Sequence, residues 1–200
     1  MLNGKMMTRL FIVWFVFLLG GCGEQEMPSP YQAIDVSWQH THADFLLKDF
    51  NGKSVNLLDF RGKVVVLFFG YTHCPDVCPT TLADLAQVTR QLGKDASRVQ
   101  VLFVTLDPER DTPELLSKYV TSFDPAFLGL YGDAASTEKA AKSFGVNYAK
   151  QNDQHGGYTV DHTDGIYMLG TRGKPLLMAP YTQPPEKLVQ DIKLLLSLNQ

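Results

Sequence analysis

Apolar positions along the chain fall into two kinds of run. Continuous runs at 64–70 and 99–106 have the β-branched and aromatic composition of strands buried on both faces. Between them Leu82, Leu85 and Leu92 recur at helical spacing, which predicts a helix over 80–92 closed by Gly93. Strand, helix and strand in that order make a βαβ unit. The stretch Asp107-Pro108-Glu109-Arg110-Asp111-Thr112-Pro113 follows, with Thr112 as N-cap and Pro113 as first residue of a helix reaching Phe123. Then come a short apolar segment at 127–131, a helix over 136–144 and a brief extended piece at 146–150. Ahead of the unit, 45–50 and 53–60 flank Asn51-Gly52, a hairpin signal. Behind it, the polar stretch 151–157 reads as a mobile surface loop. Tyr158-Thr159-Val160 leads from that loop into the polar turn Asp161-His162-Thr163-Asp164. Residues 166–169 and 175–179 form a second hairpin, and 185–198 a closing amphipathic helix.

The order hairpin, βαβ, helix, hairpin, helix is that of an α/β thioredoxin-like domain with an extra N-terminal β-hairpin and a helical insertion, here over residues 43–200. The amino-terminal part is different material. Lys5 and Arg9 give a positive region, and the ten apolar residues 10–19 end in Leu19-Gly20-Gly21-Cys22, well short of the roughly 20 that span a bilayer. Residues 1–21 therefore read as a lipoprotein signal peptide, with Cys22 as the site of lipid attachment. Residues 22–42, polar and holding Pro28 and Pro30, read as a lipid-anchored tether. This pattern places the domain in the bacterial cell envelope, on the periplasmic or extracytoplasmic side of a membrane. Losing the signal removes two basic residues and no acidic one, so the net charge moves from −3 to −5, which argues against nucleic acid as a partner.

With Cys22 assigned to lipid, the remaining thiols of the three are Cys74 and Cys78, in Thr72-His73-Cys74-Pro75-Asp76-Val77-Cys78-Pro79. A lone pair is no disulfide scaffold, and a domain of this size folds without one. The pair lies between the carboxyl end of a buried strand and the start of a helix, where ligands collect and the helix dipole favours a thiolate. Spacing alone leaves three uses open: a small disulfide, disulfide exchange with a partner, or metal binding. Helix starts at Pro79, making Cys78 the N-cap, and at Pro75 are both compatible with a bridge. Two thiolates suit copper(I) or zinc, whereas magnesium and calcium want clustered oxygens. His162 is the third donor chosen, because its turn faces the cysteine loop in a thioredoxin-like layout. Asp161 is placed to accept that ring's second proton. Asp76 tunes the thiols, meets a partner or caps the helix; His73 points away; Asp107, Arg110 and Asp111 fix their loop by ion pairs and capping.

Three segments together resemble the Sco-type (Sco/SenC) copper chaperones of cytochrome c oxidase assembly. They are Phe69-Gly70-Tyr71-Thr72-His73-Cys74-Pro75-Asp76-Val77-Cys78-Pro79, Val104-Thr105-Leu106-Asp107-Pro108-Glu109-Arg110-Asp111-Thr112-Pro113, and Val160-Asp161-His162. The resemblance implies a thioredoxin-like fold in which Cys74, Cys78 and His162 bind one copper, as copper(I) with copper(II) left open. It implies delivery to the dinuclear centre of the copper-bearing oxidase subunit, or to another copper protein. Two thiolates and a neutral imidazole suit three-coordinate copper(I), while structural zinc wants a fourth donor. The rival is a thiol-disulfide oxidoreductase, an enzyme cycling Cys74 and Cys78 to keep the oxidase cysteines reduced. A peroxidase hinted at by Thr72-x-Cys74, and a zinc hydrolase, are weaker rivals.

Overall fold

The two continuous apolar runs form the middle of the fold. A computed structural model describes residues 29–39, 43–152 and 156–198. In chain order its strands are β1 (Ile34–Asp35), β2 (Leu47–Asp49), β3 (Ser54–Val55), β4 (Val64–Gly70), β5 (Val99–Thr105), β6 (Leu128–Tyr131), β7 (Tyr148–Asn152), β8 (Tyr158–His162), β9 (Ile166–Leu169) and β10 (Pro175–Ala179). Its α-helices are α1 (Val77–Leu92), α2 (Pro113–Thr121), α3 (Ala134–Ser143) and α4 (Pro185–Ser197). Eight strands make one sheet in the order β1-β10-β9-β4-β5-β6-β2-β3, while β7 and β8 pair apart from it as a two-stranded ribbon. β4, β5 and β6 run parallel, and β9 returns antiparallel to β4. Every residue of β4 is buried, as the unbroken apolar run requires. The expected hairpin of β9 and β10 has the expected ends. This is the thioredoxin-like arrangement, with β2 and β3 added at one edge and α2, β6, α3 and the ribbon placed between β5 and β9.

Several boundaries move, each for a local reason. Helix α1 begins at Val77, between the two starts left open, because Asp76 takes the N-cap position and its carbonyl accepts from the Thr80 N–H and hydroxyl. Pro79 then sits in the first turn, where a missing N–H leaves no bond unmade. Helix α3 starts two residues early because the Asp133 carboxylate accepts from Ser136 N at 2.7 Å. The predicted strand 53–60 is strand only at Ser54–Val55; Asn56 and Asp59 form a capping box that winds Leu57–Phe60 into a 3₁₀ turn. Gln151 and Asn152 belong to β7 and not to a loop, and His162 ends β8 and does not lie in a turn. Residues 153–155, the middle of the expected mobile loop, lie outside the described residues.

Part of the stretch expected as tether, 22–42, is built into the fold. Ile34–Asp35 adds an edge strand to β10, and the backbone N–H groups of Gln32 and Ala33 donate to the buried Asp191 carboxylate of α4 at 2.8 and 2.9 Å. Residues 1–28 and 40–42, which hold the expected signal peptide, Cys22 and the two ends of the expected tether, lie outside the described residues. Among the described residues no helix is long and apolar enough to cross a membrane.

Candidate metal centre

The site grows from the carboxyl end of β4. Gly70, the last residue of that strand, is packed so closely that an added Cβ would lie 2.8 Å from Cys78 Sγ and 2.9 Å from the Phe103 ring. Glycine at this position lets the Cys78 sulfur settle against the sheet, where it is fully buried; Cys74, in the loop before α1, is half-buried. Both thiols are free. Cys78 N–H, in the first turn of α1, donates to Cys74 Sγ at 3.4 Å, so a helix-terminal donor without an intrahelical partner is satisfied by sulfur.

The two sulfurs have opposite acidities. A hydrogen bond from the Cys78 thiol, followed by the backbone N–H groups of Asp76 and Cys78 and the nearby imidazole of His162, holds Cys74 down at about 5 against partial burial. Cys78 moves up, because the Cys74 thiolate takes its proton as a hydrogen bond and because it is buried. At neutral pH the pair is one thiolate and one thiol sharing a proton.

His162 reaches the same region from the end of β8. Its side chain is 5% exposed and lies edge-on to the rings of Phe68 and Tyr71, with centroids 6.4 Å away in each case. Nδ1 is 3.1 Å from the Thr163 carbonyl oxygen, which can only accept, so Nδ1 carries the hydrogen and Nε2 is left with the lone pair. Asp164 stands 3.6 Å from the same nitrogen. Asp161, expected to orient the ring, is exposed and does not; it precedes His162 in a strand, where successive side chains point to opposite faces. Asp76 supplies backbone to the thiols and to α1, with no hydrogen bond from its side chain to the helix. His73 is turned toward Thr72 Oγ1, at 3.1 Å, and Asp111. Cys74 and Cys78 thus lie at the carboxyl end of β4 and the His162 ring packs on Phe68 and Tyr71 of the same region, yet among the described residues no three His, Cys, Asp or Glu side chains stand close enough together to hold a metal ion. The donor types still fit a soft cation: two sulfurs, one already ionised, and an imidazole nitrogen with a free lone pair.

The loop between β5 and α2 braces the site, as the ion-pair reading of Asp107, Arg110 and Asp111 expects. Buried Asp111 accepts from Thr72 N at 3.0 Å, from Thr72 Oγ1 at 2.6 Å and from Thr105 Oγ1 at 2.5 Å, fixing the cysteine loop to the end of β5. Asp107, also buried, accepts from Arg110 Nε and, at 2.8 Å, from the Tyr158 hydroxyl. The parts missed from the sequence are Tyr71 and Tyr158. Tyr71 hydrogen-bonds the Val160 backbone, and Tyr158 lies under the Arg110 guanidinium, 3.6 Å from its ring centroid. A lone tyrosine carries no periodic signal, although the Tyr71 position, between a buried strand and the thiols, marks it as a lining residue.

The family model described as SCO1/SenC matches residues 36–197. The mitochondrial SCO2 homolog of Bos taurus is 45% identical over 133 residues, covering 65% of this chain and 50% of that protein. The chain thus spans about half the length of the mammalian SCO2 relatives first matched. The SCO2-like protein of Rickettsia felis is 34% identical over 152 residues, 75% of this chain and 74% of that one. Among solved structures, copper-bound ScoI of Bradyrhizobium japonicum is 43% identical with a TM-score of 0.70, covering 75% of this chain and 96% of that one. Apo Sco1 of Thermus thermophilus is also 43% identical, with a TM-score of 0.70 and coverage of 76% and 90%. With a family match that runs from the end of β1 to the end of α4, across the cysteine loop, its bracing loop and the ribbon, this chain belongs to the SCO1/SenC family.

Proposed function

We propose that this protein is a copper carrier: Cys74, Cys78 and His162 hold one copper ion, and the protein delivers it to the dinuclear copper centre of cytochrome c oxidase. The observation that carries this reading is the Nδ1 contact of His162. With Nδ1 held at the Thr163 carbonyl, the neutral ring keeps its Nε2 lone pair as a soft-metal donor, in the same region as a thiolate and a thiol. Family members of Bradyrhizobium japonicum, Arabidopsis thaliana and yeast have been solved with copper bound. Copper here is cargo. Cys74 meets it already ionised, Cys78 gives up its proton on binding, and His162 completes three-coordination when β8 approaches the cysteine loop. In this reading Cys22 carries lipid and tethers the domain to a membrane of the cell envelope, with the site on the periplasmic or extracytoplasmic side.

One observation favours a second reading. The low Cys74 thiolate hydrogen-bonded by a Cys78 thiol is also the resting state of a disulfide reductase. Cys74 would attack a partner disulfide, forming a mixed disulfide and expelling one partner thiolate. Cys78, losing its proton, would then displace the second, leaving a Cys74–Cys78 disulfide and a partner reduced by two electrons. Titration of reduced protein with copper(I) under a competing chelator separates the two. The carrier reading expects one copper per chain, with affinity lost in Cys74→Ser and Cys78→Ser and lowered in His162→Ala. Wild-type affinity in any of the three, together with turnover on a disulfide substrate that His162→Ala leaves intact, establishes the reductase instead.

A further inference from the structure

The ribbon that carries His162 is hydrogen-bonded strand to strand within itself and is not part of the main sheet. Besides its chain connections to α3 and β9 and the buried Val160, side chains that cross from the body of the fold hold it in place. At the His162 end, Thr163 N donates to the Asn147 carbonyl at 2.9 Å, which closes the ribbon on itself. At the other end of β8, Tyr158 is gripped by the loop between β5 and α2. Its hydroxyl donates to Asp107, its carbonyl accepts from Arg110 Nη1 at 2.9 Å, and its ring lies under the guanidinium. Lys150 of β7 pairs with Glu109 of the same loop at 2.6 Å. Asp111, one residue after Arg110, holds the cysteine loop through Thr72. The stretch 107–111 between β5 and α2 thus grips both halves of the ligand set, the thiols through one end and the imidazole strand through the other.

We propose that Arg110 is a positioning residue for metal binding: bridged to Asp107 and Tyr158, it sets how closely His162 approaches Cys74 and Cys78. The inference rests on His162 being a ligand. A guanidinium suits the task because its planar fork serves Asp107 and the Tyr158 carbonyl at once while its face stacks on the ring, which a lysine ammonium cannot do. The guanidinium also sits 5.8 Å from the Tyr71 ring, against which His162 lies edge-on, so a shift of Arg110 is felt at the imidazole.

The test is a double-mutant cycle read by copper(I) affinity under a competing chelator. Arg110→Met in the wild-type background is expected to weaken binding by about tenfold or more, the usual scale for a partner that orients a ligand. In a His162→Ala background the same change is expected to move the affinity by less than about twofold, because nothing remains to be positioned. Hydrogen exchange of the metal-free protein gives a readout without copper: amides of β7 and β8 should exchange faster in Arg110→Met, while those of β4 and β5 keep their rates. Tyr158→Phe, which keeps the stack and loses only the hydroxyl, should fall between; it serves in place of Arg110→Met if that variant does not fold. Equal losses of affinity in both backgrounds, or unchanged affinity and ribbon exchange, overturn the positioning role and leave His162 a ligand. Wild-type affinity in His162→Ala alone overturns the ligand reading and this inference with it.

Discussion

Cys74 and Cys78 are chemically unlike although the chain spells them alike. The difference comes from the hydrogen bond between them, from the deeper burial of Cys78, and from the backbone N–H groups of Asp76 and Cys78, which reach Cys74. Alkylation of reduced protein by iodoacetamide should therefore label Cys74 with a rate that rises through a midpoint near pH 5, while Cys78 stays unlabelled at pH 8. The same shift links to stability with a definite sign. Cys74 is lowered from an ordinary thiol value near 9, so its contribution is full above about pH 9, declines as pH falls and is lost below about 5. Cys78, raised, opposes this above pH 9, where the unfolded chain ionises and the folded one does not. Denaturant unfolding of the reduced protein between pH 5 and 8 should show stability rising with pH from this source, and Cys74→Ser should flatten the slope. Gly70 is the silent member of the site. Gly70→Ala pushes a methyl into Cys78 Sγ and Phe103 and should cost about 1–3 kcal/mol, the usual penalty for overpacking a full core, read by the same unfolding curves. The thiols themselves were legible from spacing and from the strand before them; their unequal protonation was not, because it depends on where α1 begins.

At the scale of elements, legibility followed the length of the repeating pattern. The runs that became β4 and β5, and the hairpin of β9 and β10, carry enough consecutive apolar residues to announce themselves. A two-residue strand such as β1 carries no period at all, and its polar surroundings read as tether. The ribbon was half seen, as an extended piece and a lead-in, because β7 is exposed along four of its five residues and shows no buried face to alternate with. What pins β1 is equally invisible along the chain: Asp191, 158 residues away from Ala33, sits fully buried on α4 and accepts from two backbone N–H groups and from Gln183 Nε2 at 3.3 Å. Asp191→Ala leaves those donors unpaired and should destabilise the fold by about 1.5–3 kcal/mol, the range for hydrogen bonds to a charged group. Amide exchange locates the damage: residues 32–36 should lose protection first, with β9 retained, and an unchanged exchange pattern there would mean that β10 alone holds the strand.

At the scale of the whole molecule, the proposed ligand set spans two sheets. Cys74 and Cys78 are fixed to the central strands through Gly70, Asp111 and the first turn of α1, whereas His162 rides on the separate two-stranded ribbon, an arm joined by short links to α3 and β9. In the proposed carrier reading, that arrangement gives a way to hold and then release cargo, because withdrawing one donor leaves two thiolates that a recipient site can compete for. It also predicts two separate effects of copper(I). As a ligand for the folded state alone, copper at about a hundredfold above its Kd should stabilise the protein by about 2.7 kcal/mol. At roughly 2–4 °C per kcal/mol for a domain of this size, that raises Tm by about 5–11 °C, and removing the metal with a chelator should reverse the shift. The second effect is local. Exchange of β7 and β8 amides should slow on copper binding by more than that of β2 and β3, which touch neither half of the site, because metal closes the arm onto the body. In His162→Ala the thermal shift should shrink and the added ribbon protection should vanish. Equal ribbon exchange with and without copper in the wild-type protein would show that the thiols bind the metal without the arm.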